Sequence, residues 1–267
     1  VAADYILITH DKFIENPILD ELEGLRQSQG LKTLRVNVKD IYDEFFNGQE
    51  SPFAIKEFLK FAYNNWKDPK PQYVLLVGDG CYYNNTATRD TLNYIPVYMR
   101  QTLKFGSAAS DHWYSLVAGD DEIPDMFVGR LPVRENEKLD VIVRKIIDYE
   151  TDPASGSWKN RILFIGGNGA VFRQQAFDVQ QNIPADVESQ FLFTTKLNSL
   201  EYDPFFGGTA DLIDYFEDGC SVINFHGHGG GAIWADNGLL RLEDATRLYN
   251  EKKYPFILSM TCFTGSF

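Results

Sequence analysis

The sequence is poor in cysteine and in positive charge, and it has no long hydrophobic run. Its 3 cysteines form no CxxC pair, so neither a disulfide framework nor a zinc ribbon is indicated. Lys and Arg number 25 against 38 Asp and Glu, and the net charge of −13 excludes a nucleic-acid binder that works through bulk charge. Apolar runs such as residues 73–77 fall far below the roughly 20 residues of a membrane span. Because 44% of the residues are hydrophobic, we expect a soluble, folded protein rather than a disordered one.

Apolar runs of strand length alternate with segments of helical period. Residues 5–8 predict a strand, and Asn16-Pro17 predicts the start of a helix that ends near Gly30. Ser51-Pro52 predicts the start of another helix, and a buried strand follows at residues 73–77. This alternation is typical of βαβ units around a mostly parallel sheet with helices on both faces. We therefore predict an α/β protein.

The chain divides into two predicted subdomains. Residues 78–134 are rich in loops and precede a helix with an apolar face at residues 139–147. Pro, Gly and Ser then cluster at residues 151–157, where the periodicity stops, so we place a boundary between residues 150 and 151. In the second half the alternation predicts strands at 161–165, 190–194, 221–225 and 256–261 and helices at 172–181, 210–216 and 242–249.

Two strands of the second half end in reactive residues. Strand 221–225 leads into His226-Gly227-His228-Gly229, and strand 256–261 leads into Cys262. Because functional groups of parallel sheets gather at the carboxyl ends of strands, a histidine and a cysteine would meet if these strands are neighbours. A cysteine nucleophile needs an imidazole to take its proton and two donors for the oxyanion. The amides of Gly229 and Cys262 are the candidate donors.

Each of these features also has a plainer interpretation. A cysteine at a strand end is usually a packing residue, and two histidines around a glycine are compatible with metal ligation or with a simple turn. Gly166-Gly167-Asn168-Gly169 suggests a phosphate-binding loop, but it lacks the dinucleotide-binding spacing, and the chain has no P-loop lysine motif. Nucleotide binding is the weaker hypothesis.

Several segments together resemble the gingipain family of cysteine peptidases, family C25. They are Asn224-Phe225-His226-Gly227-His228-Gly229-Gly230, Ile233-Trp234-Ala235-Asp236, Pro255-Phe256-Ile257 and 260–267 around Cys262, with 110–114, 119–121, 124–125 and 128–133 upstream. The resemblance covers most of the chain from about Tyr73 onward. It includes relatives that act as signal peptidase of type IX secretion.

The resemblance implies a caspase-like fold, a three-layer α/β/α arrangement in two side-by-side subdomains, 1–150 and 151–267. It implies that His228 is the catalytic imidazole and Cys262 the nucleophile, whereas His226 falls where the family often has a non-catalytic residue. A carboxylate orients the imidazole in gingipains, and the matching position here is Asn168. Asparagine can accept the ring N–H but brings no negative charge.

Further site residues follow from the same resemblance. Asp178 matches best the aspartate that takes up the basic side chain of the substrate, although it could instead face solvent on a helix. Trp234 is a second candidate for substrate contact. Asp120 and Asp121 could hold a structural Ca²⁺, because hard cations prefer clustered oxygens, although surface turns use the same residues.

The resemblance leads us to expect a cysteine endopeptidase that acts on polypeptides, requires no cofactor and is secreted or cell-surface in a bacterium, with type IX secretion components as candidate partners. The family's chain continues after the cysteine, so residues 151–267 would be a truncated catalytic subdomain. A non-catalytic binding or assembly module of the same fold, or a sortase-like processing peptidase, stays open as an alternative.

Overall fold

A computed structural model describes residues 1–81, 93–103, 106–196 and 203–264. The strands lie mostly in parallel sheets, and the chain divides into two compact units, Val1–Ile147 and a second that begins at Asp148. The observed division lies close to residue 150, where the sequence analysis placed it. Within the described part of the chain, no helix is both long and apolar enough to cross a membrane.

The first unit is built on a parallel four-stranded sheet of order β2-β1-β3-β6. Its described elements in chain order are β1 (Tyr5–Thr9), α1 (Pro17–Ser28), β2 (Thr33–Asn37), α2 (Val38–Phe46), α3 (Pro52–Asn65), β3 (Tyr73–Val77), β4 (Met99–Thr102), β5 (Gly106–Ala109), α4 (His112–Ser115), β6 (Phe127–Leu131) and α5 (Asn136–Thr151). The predicted helix starts are confirmed: the Asn16 side chain accepts from the Ile18 amide, and Ser51 Oγ accepts from the Phe53 amide.

Both faces of this sheet are covered. Ile6 and Ile8 of β1 pack with α2 and α3, whereas Leu7, between them, packs on the other face with α1 and α5. Successive side chains of a strand point to opposite faces, so a strand that is apolar throughout needs a layer on each side. All three residues are fully buried, and each such side chain contributes about 1.5–3 kcal/mol.

The second unit repeats this plan with a parallel sheet of order β13-β9-β7-β8. Its described elements are β7 (Arg161–Gly166), α6 (Ala170–Gln180), β8 (Glu188–Phe193), α7 (Thr209–Asp218), β9 (Val222–His226), β10 (Gly229–Gly230), β11 (Ile233–Trp234), β12 (Leu240–Arg241) and β13 (Phe256–Met260). α6 packs on one face of the sheet and α7 on the other. The predicted α/β/α layering is therefore confirmed for each unit.

Several elements differ from the sequence prediction. α2 was not predicted, and β4, β5, α4 and β6 lie in the segment 78–134 that was predicted to be rich in loops. β6 was missed because Gly129 and Arg130 interrupt its apolar pattern. The predicted helix 242–249 is a short 3₁₀ helix, Leu242–Arg247. The amide of Leu242, the first residue of this helix, donates to the Ala232 carbonyl. This bond fixes the start of the helix beside β11 and β12. The short antiparallel strands β10, β11 and β12 were not predicted at all.

Candidate active site

The strands that carry the candidate histidine and cysteine are neighbours. β13 pairs with β9 in parallel register, with Met260 opposite His226. Cys262 and His228 each follow this aligned pair by two residues, so both leave the sheet at its carboxyl edge. The sequence analysis required these two strands to be neighbours for a histidine and a cysteine to meet, and they are neighbours.

The loop after β9 lies directly against the loop after β13. A Cβ atom built on Gly229 would come within 2.6 Å of Thr261 Oγ1 and 3.0 Å of the Cys262 carbonyl oxygen. Any side chain at this position would force the two loops apart, so glycine is required here by close approach. The backbone that follows His228 thus contacts the residue that carries the candidate nucleophile.

The chain turns sharply after Cys262. Phe263 has φ of 60°, in the left-handed region that costs a non-glycine residue about 1–2 kcal/mol. The turn leaves Cys262 exposed, as a nucleophile that attacks an external substrate must be. Strained backbone is often stored at functional sites, and its place directly after the thiol fits that pattern.

His228 is exposed and is held by two contacts. The Phe172 ring meets the imidazole edge-on, with ring centroids 5.0 Å apart and planes at 87°. The amide of Ala235 donates to the His228 carbonyl at 2.8 Å, which fixes the backbone of the loop. Sequence reasoning did not identify Phe172, because an aromatic residue in the first turn of a helix carries no signal of such a contact.

His226 lies in a different environment from His228. It ends β9, and its buried Nε2 has no hydrogen-bond partner among the described residues. Burial lowers the pKa of His226 from its ordinary value, because the charged form would lose its hydration. A half-buried imidazole that is kept neutral fits the structural role the resemblance implied.

Asn168 follows β7, the strand next to β9. The amide of Gly167 donates to the His226 carbonyl at 2.7 Å, which places this loop beside the histidine loop. The side-chain oxygen of Asn168 accepts from the Thr194 hydroxyl at 2.6 Å. Sequence reasoning did not identify Thr194, and the orienting role of Asn168 stays a prediction.

The two residues predicted to contact the substrate, Asp178 and Trp234, lie in different environments. Asp178 is on the exposed face of α6, where its carboxylate accepts from Gln174 Nε2 at 2.8 Å. Trp234 is only 9% exposed, and its ring stacks on Phe225 at 4.6 Å between centroids. Trp234 is thus mainly a core residue, and both roles stay predictions.

Asp120 and Asp121 lie in an exposed loop of the first unit. Asp121 Oδ1 accepts from the Ile123 amide, and the pocket of about 390 Å³ beside them also contains the cations Lys56 and Arg100. Across residues 1–81, 93–103, 106–196 and 203–264, no three His, Cys, Asp or Glu side chains are grouped to hold a metal ion. Because Ca²⁺ also takes backbone carbonyl oxygens, the calcium site at Asp120 and Asp121 stays a prediction.

Comparison with known proteins connects this site to one family. The model of peptidase family C25 matches residues 1–267, the whole chain. Gingipain R2 of Porphyromonas gingivalis strain W83 is 27% identical over 269 residues, which is 98% of this chain and 32% of that protein. Lys-gingipain W83 of the same species is 26% identical over 220 residues, covering 80% of this chain and 11% of that protein.

A solved structure supports the fold. The crystal structure of the Arg-specific cysteine proteinase gingipain R matches with a TM-score of 0.74 and 24% identity, covering 98% of this chain and 55% of that one. The fold of this chain is therefore caspase-like, as the sequence resemblance implied. The chain spans less than a third of the length of the curated gingipains it matches.

Proposed function

Because the chain belongs to peptidase family C25, we propose that it is the catalytic part of a cysteine endopeptidase in which Cys262 and His228 form the catalytic dyad. The observation that carries the proposal is the contact between the two strand-end loops. Gly229 lies so close to Thr261 and Cys262 that the loops after β9 and β13 form one surface. Two reactive residues on that surface are available to one peptide bond.

The proposed reaction has two steps. His228 takes the proton of the Cys262 thiol, and the sulfur attacks the scissile carbonyl carbon. The amides of Gly229 and Cys262 stabilise the oxyanion, and His228 then gives the proton to the leaving amine, so that the C–N bond breaks and a thioester remains. A water molecule, deprotonated by His228, hydrolyses the thioester and releases the free thiol. Asn168 is proposed to orient the imidazole.

The test is peptide hydrolysis by the full-length protein and its Cys262→Ala variant. We expect the variant to lose all turnover and all labelling of residue 262 by thiol-directed inhibitors, with an unchanged circular dichroism spectrum. Cys81→Ala, a change at the half-buried cysteine of the first unit, is the matched control and should keep its activity. Full activity in Cys262→Ala would overturn the mechanism. A parent protein that is folded but inactive would favour a binding or assembly module.

We also propose that Asp178 receives a basic side chain of the substrate. Its exposed carboxylate on α6 is the support for this, and its neighbour Gln174 is a neutral hydrogen-bond donor that leaves the charge in place. Asp178→Asn should lower kcat/KM for peptides with Arg or Lys before the scissile bond at least about tenfold, since the variant loses a charge-assisted bond. Peptides with Leu at that position are the internal control, and an equal loss for both would argue against this role.

The proposal includes export of the protein to the bacterial surface or the medium, with type IX secretion components as partners. The low cysteine content and the acidic composition are compatible with it. Fractionation of the producing cells, with detection by antibody, tests this part. Confinement to the cytoplasm would contradict it without affecting the proposed chemistry.

A further inference from the structure

An apolar pocket of about 210 Å³ adjoins the candidate active site in the second unit. Its wall begins at Gly230, next to the proposed oxyanion donor Gly229, and includes Thr264, two residues after Cys262. The remaining lining comes mainly from apolar residues of β11 and the 3₁₀ helix, among them Ile233, Leu242 and Ala245. The loop after β9 and the loop after β13, which carry the proposed dyad, therefore each contribute to the wall of the pocket.

The strand pairing explains why apolar side chains point into this pocket. Trp234 of β11 pairs with Leu240 of β12 and turns its ring to the core, where it stacks on Phe225. Ile233, the preceding residue, points to the opposite face because side chains alternate along a strand. Ile233 is 36% exposed and Leu242 is 72% exposed. Apolar side chains grouped on the surface beside a reactive site are typical of a binding surface.

The size and charge of the pocket restrict what it can bind. Drug-sized ligands occupy about 300–1,000 Å³, so this pocket is suited to a single side chain rather than a whole ligand. Arg241 is the one charged residue among the described residues that line it, and its positive charge disfavours a lysine or arginine side chain. An apolar side chain of medium size, such as leucine, isoleucine or methionine, satisfies both restrictions.

We propose that this pocket is a specificity subsite that takes an apolar side chain of the polypeptide substrate within two residues of the scissile bond. The inference rests on the proposed function, because the pocket is a subsite only if the protein cleaves a polypeptide beside it. The subsite adds a second preference, for an apolar residue, to the basic residue proposed for Asp178. It requires Ile233 and Leu242 to contact substrate directly.

The first test is a peptide library, varied at one position at a time, cleaved by the full-length protein. At one position near the scissile bond we expect Leu to exceed Lys at least about tenfold in kcat/KM, since a matched apolar pocket discriminates by about 10–200-fold. Ile233→Asp should abolish this preference, so that the ratio of kcat/KM for the Leu and Lys peptides falls at least about tenfold. Val141→Asp, a change at an exposed valine of α5 in the first unit, is the matched control and should leave the preference intact.

A second variant adds a side chain at Gly231, which lines the pocket. A Cβ atom on Gly231 would meet no atom within 4 Å, so Gly231→Leu can be accommodated without a clash or backbone strain. We expect this variant to lose the preference for Leu over Ala and Gly in the peptide. An unchanged preference in both Ile233→Asp and Gly231→Leu would overturn the subsite, including the case in which another segment of the full-length protein covers the pocket.

Peptide binding to the Cys262→Ala protein separates the two proposals. This protein should bind the Leu peptide more tightly than the Lys peptide in calorimetric titration, although it does not cleave either. If cleavage continues without Cys262 but the Leu preference depends on Ile233, the proposed mechanism fails and the subsite stands. If cleavage requires Cys262 but neither pocket variant changes binding or preference, the subsite fails and the mechanism stands.

Discussion

Met260 of β13 stands directly opposite His226 of β9, and Cys262 and His228 each lie two residues beyond this pair. The first unit has the same plan with different residues. There Val77 of β3 stands opposite Leu131 of β6, and the residues two positions further are Asp79 and Val133. Gly78-Asp79-Gly80 thus corresponds to Gly227-His228-Gly229. The two sheets share an architecture, and only the second places a histidine and a thiol at the paired strand ends.

The two histidines after β9 should differ strongly in their effect on activity. His228→Ala removes the proposed general base, so we expect kcat/KM to fall about 10²–10⁴-fold. His226→Met replaces a half-buried imidazole, whose Nε2 has no hydrogen-bond partner among the described residues, by an apolar side chain of similar size, and we expect a change in kcat/KM of less than about threefold with stability retained. Peptide hydrolysis and urea unfolding of both variants measure these effects.

Alkylation of Cys262 compares the effects of His228 and His226 without a peptide substrate. The thiolate is the reactive form, so iodoacetamide should modify Cys262 of the parent faster at pH 6–7 than it modifies a model thiol, and His228→Ala should remove the advantage. His226→Met is the control and should keep the parental rate. Equal rates in the parent and His228→Ala would show that the two residues do not interact.

Thr194 should affect activity through Asn168. The Thr194 hydroxyl donates to Asn168 Oδ1 at 2.6 Å, so Thr194→Val frees this oxygen and loosens the amide. If Asn168 orients the imidazole, Thr194→Val should lower kcat about 2–10-fold, the range of one lost hydrogen bond of about 0.5–1.5 kcal/mol. KM should change little, because neither residue is proposed to contact substrate.

The double variant decides whether Thr194 acts through Asn168. Asn168→Ala should give a loss between those of Thr194→Val and His228→Ala, and adding Thr194→Val to Asn168→Ala should cost little more. Fully additive losses would indicate that the two residues act separately. Asn64→Ala is the control, since the Asn64 side chain donates to the Lys60 carbonyl within α3 of the first unit.

The parts of the fold that the sequence predicts well are those with local signals. β1 and β3 are apolar runs, and α1 and α3 begin at an Asn or Ser cap followed by proline, so the relevant information lies within a few residues. β6 could not be predicted in this way. Its Arg130 is buried because it pairs with Asp111, 19 residues away, and such a long-range pair leaves no periodicity in the strand itself.

The sequence points to the candidate reactive residues and not to the residues around them. Cys262 and His228 carry recognisable chemistry after strand ends, and the two strands pair as the prediction required. Phe172 and Thr194 carry no such signal, because an aromatic or a hydroxyl residue becomes a support only through its position in space. The pocket beside Ile233 is formed by β11 and β12, which have two residues each. Strands this short show no alternation of apolar and polar residues from which they could be predicted.

Breaking the ion pair of Arg130 with Asp111 should destabilise the first unit strongly. The Arg130 side chain is 4% exposed and donates two bonds to the Asp111 carboxylate at 2.7 and 2.8 Å. It also donates to the carbonyls of Gly78 and Ile95. Asp111→Ala leaves a buried, uncompensated charge, so we expect the free energy of unfolding to fall about 3–5 kcal/mol.

Urea unfolding monitored by tryptophan fluorescence measures this loss. Glu21→Ala is the control, because the Glu21–Arg144 pair is exposed to solvent and such pairs contribute little to stability. A loss at Asp111 no greater than that at Glu21 would contradict the assignment. Arg130→Met should also destabilise the protein, since the carbonyls of Gly78 and Ile95 lose the donor that Arg130 supplies.

Cys220 should make stability fall with rising pH. Burial raises the pKa of its thiol from 9.0 to about 12, although Arg161 nearby opposes this. Above pH 9 the unfolded chain loses the proton first, so the thiol's contribution is complete below pH 9 and disappears as the pH rises towards 12. The free energy of unfolding should drop by about 1 kcal/mol more between pH 7 and 10 than it does in Cys220→Ala, which has no thiol to titrate. Urea unfolding of both proteins at each pH measures the difference. Parallel losses would show that Cys220 does not contribute.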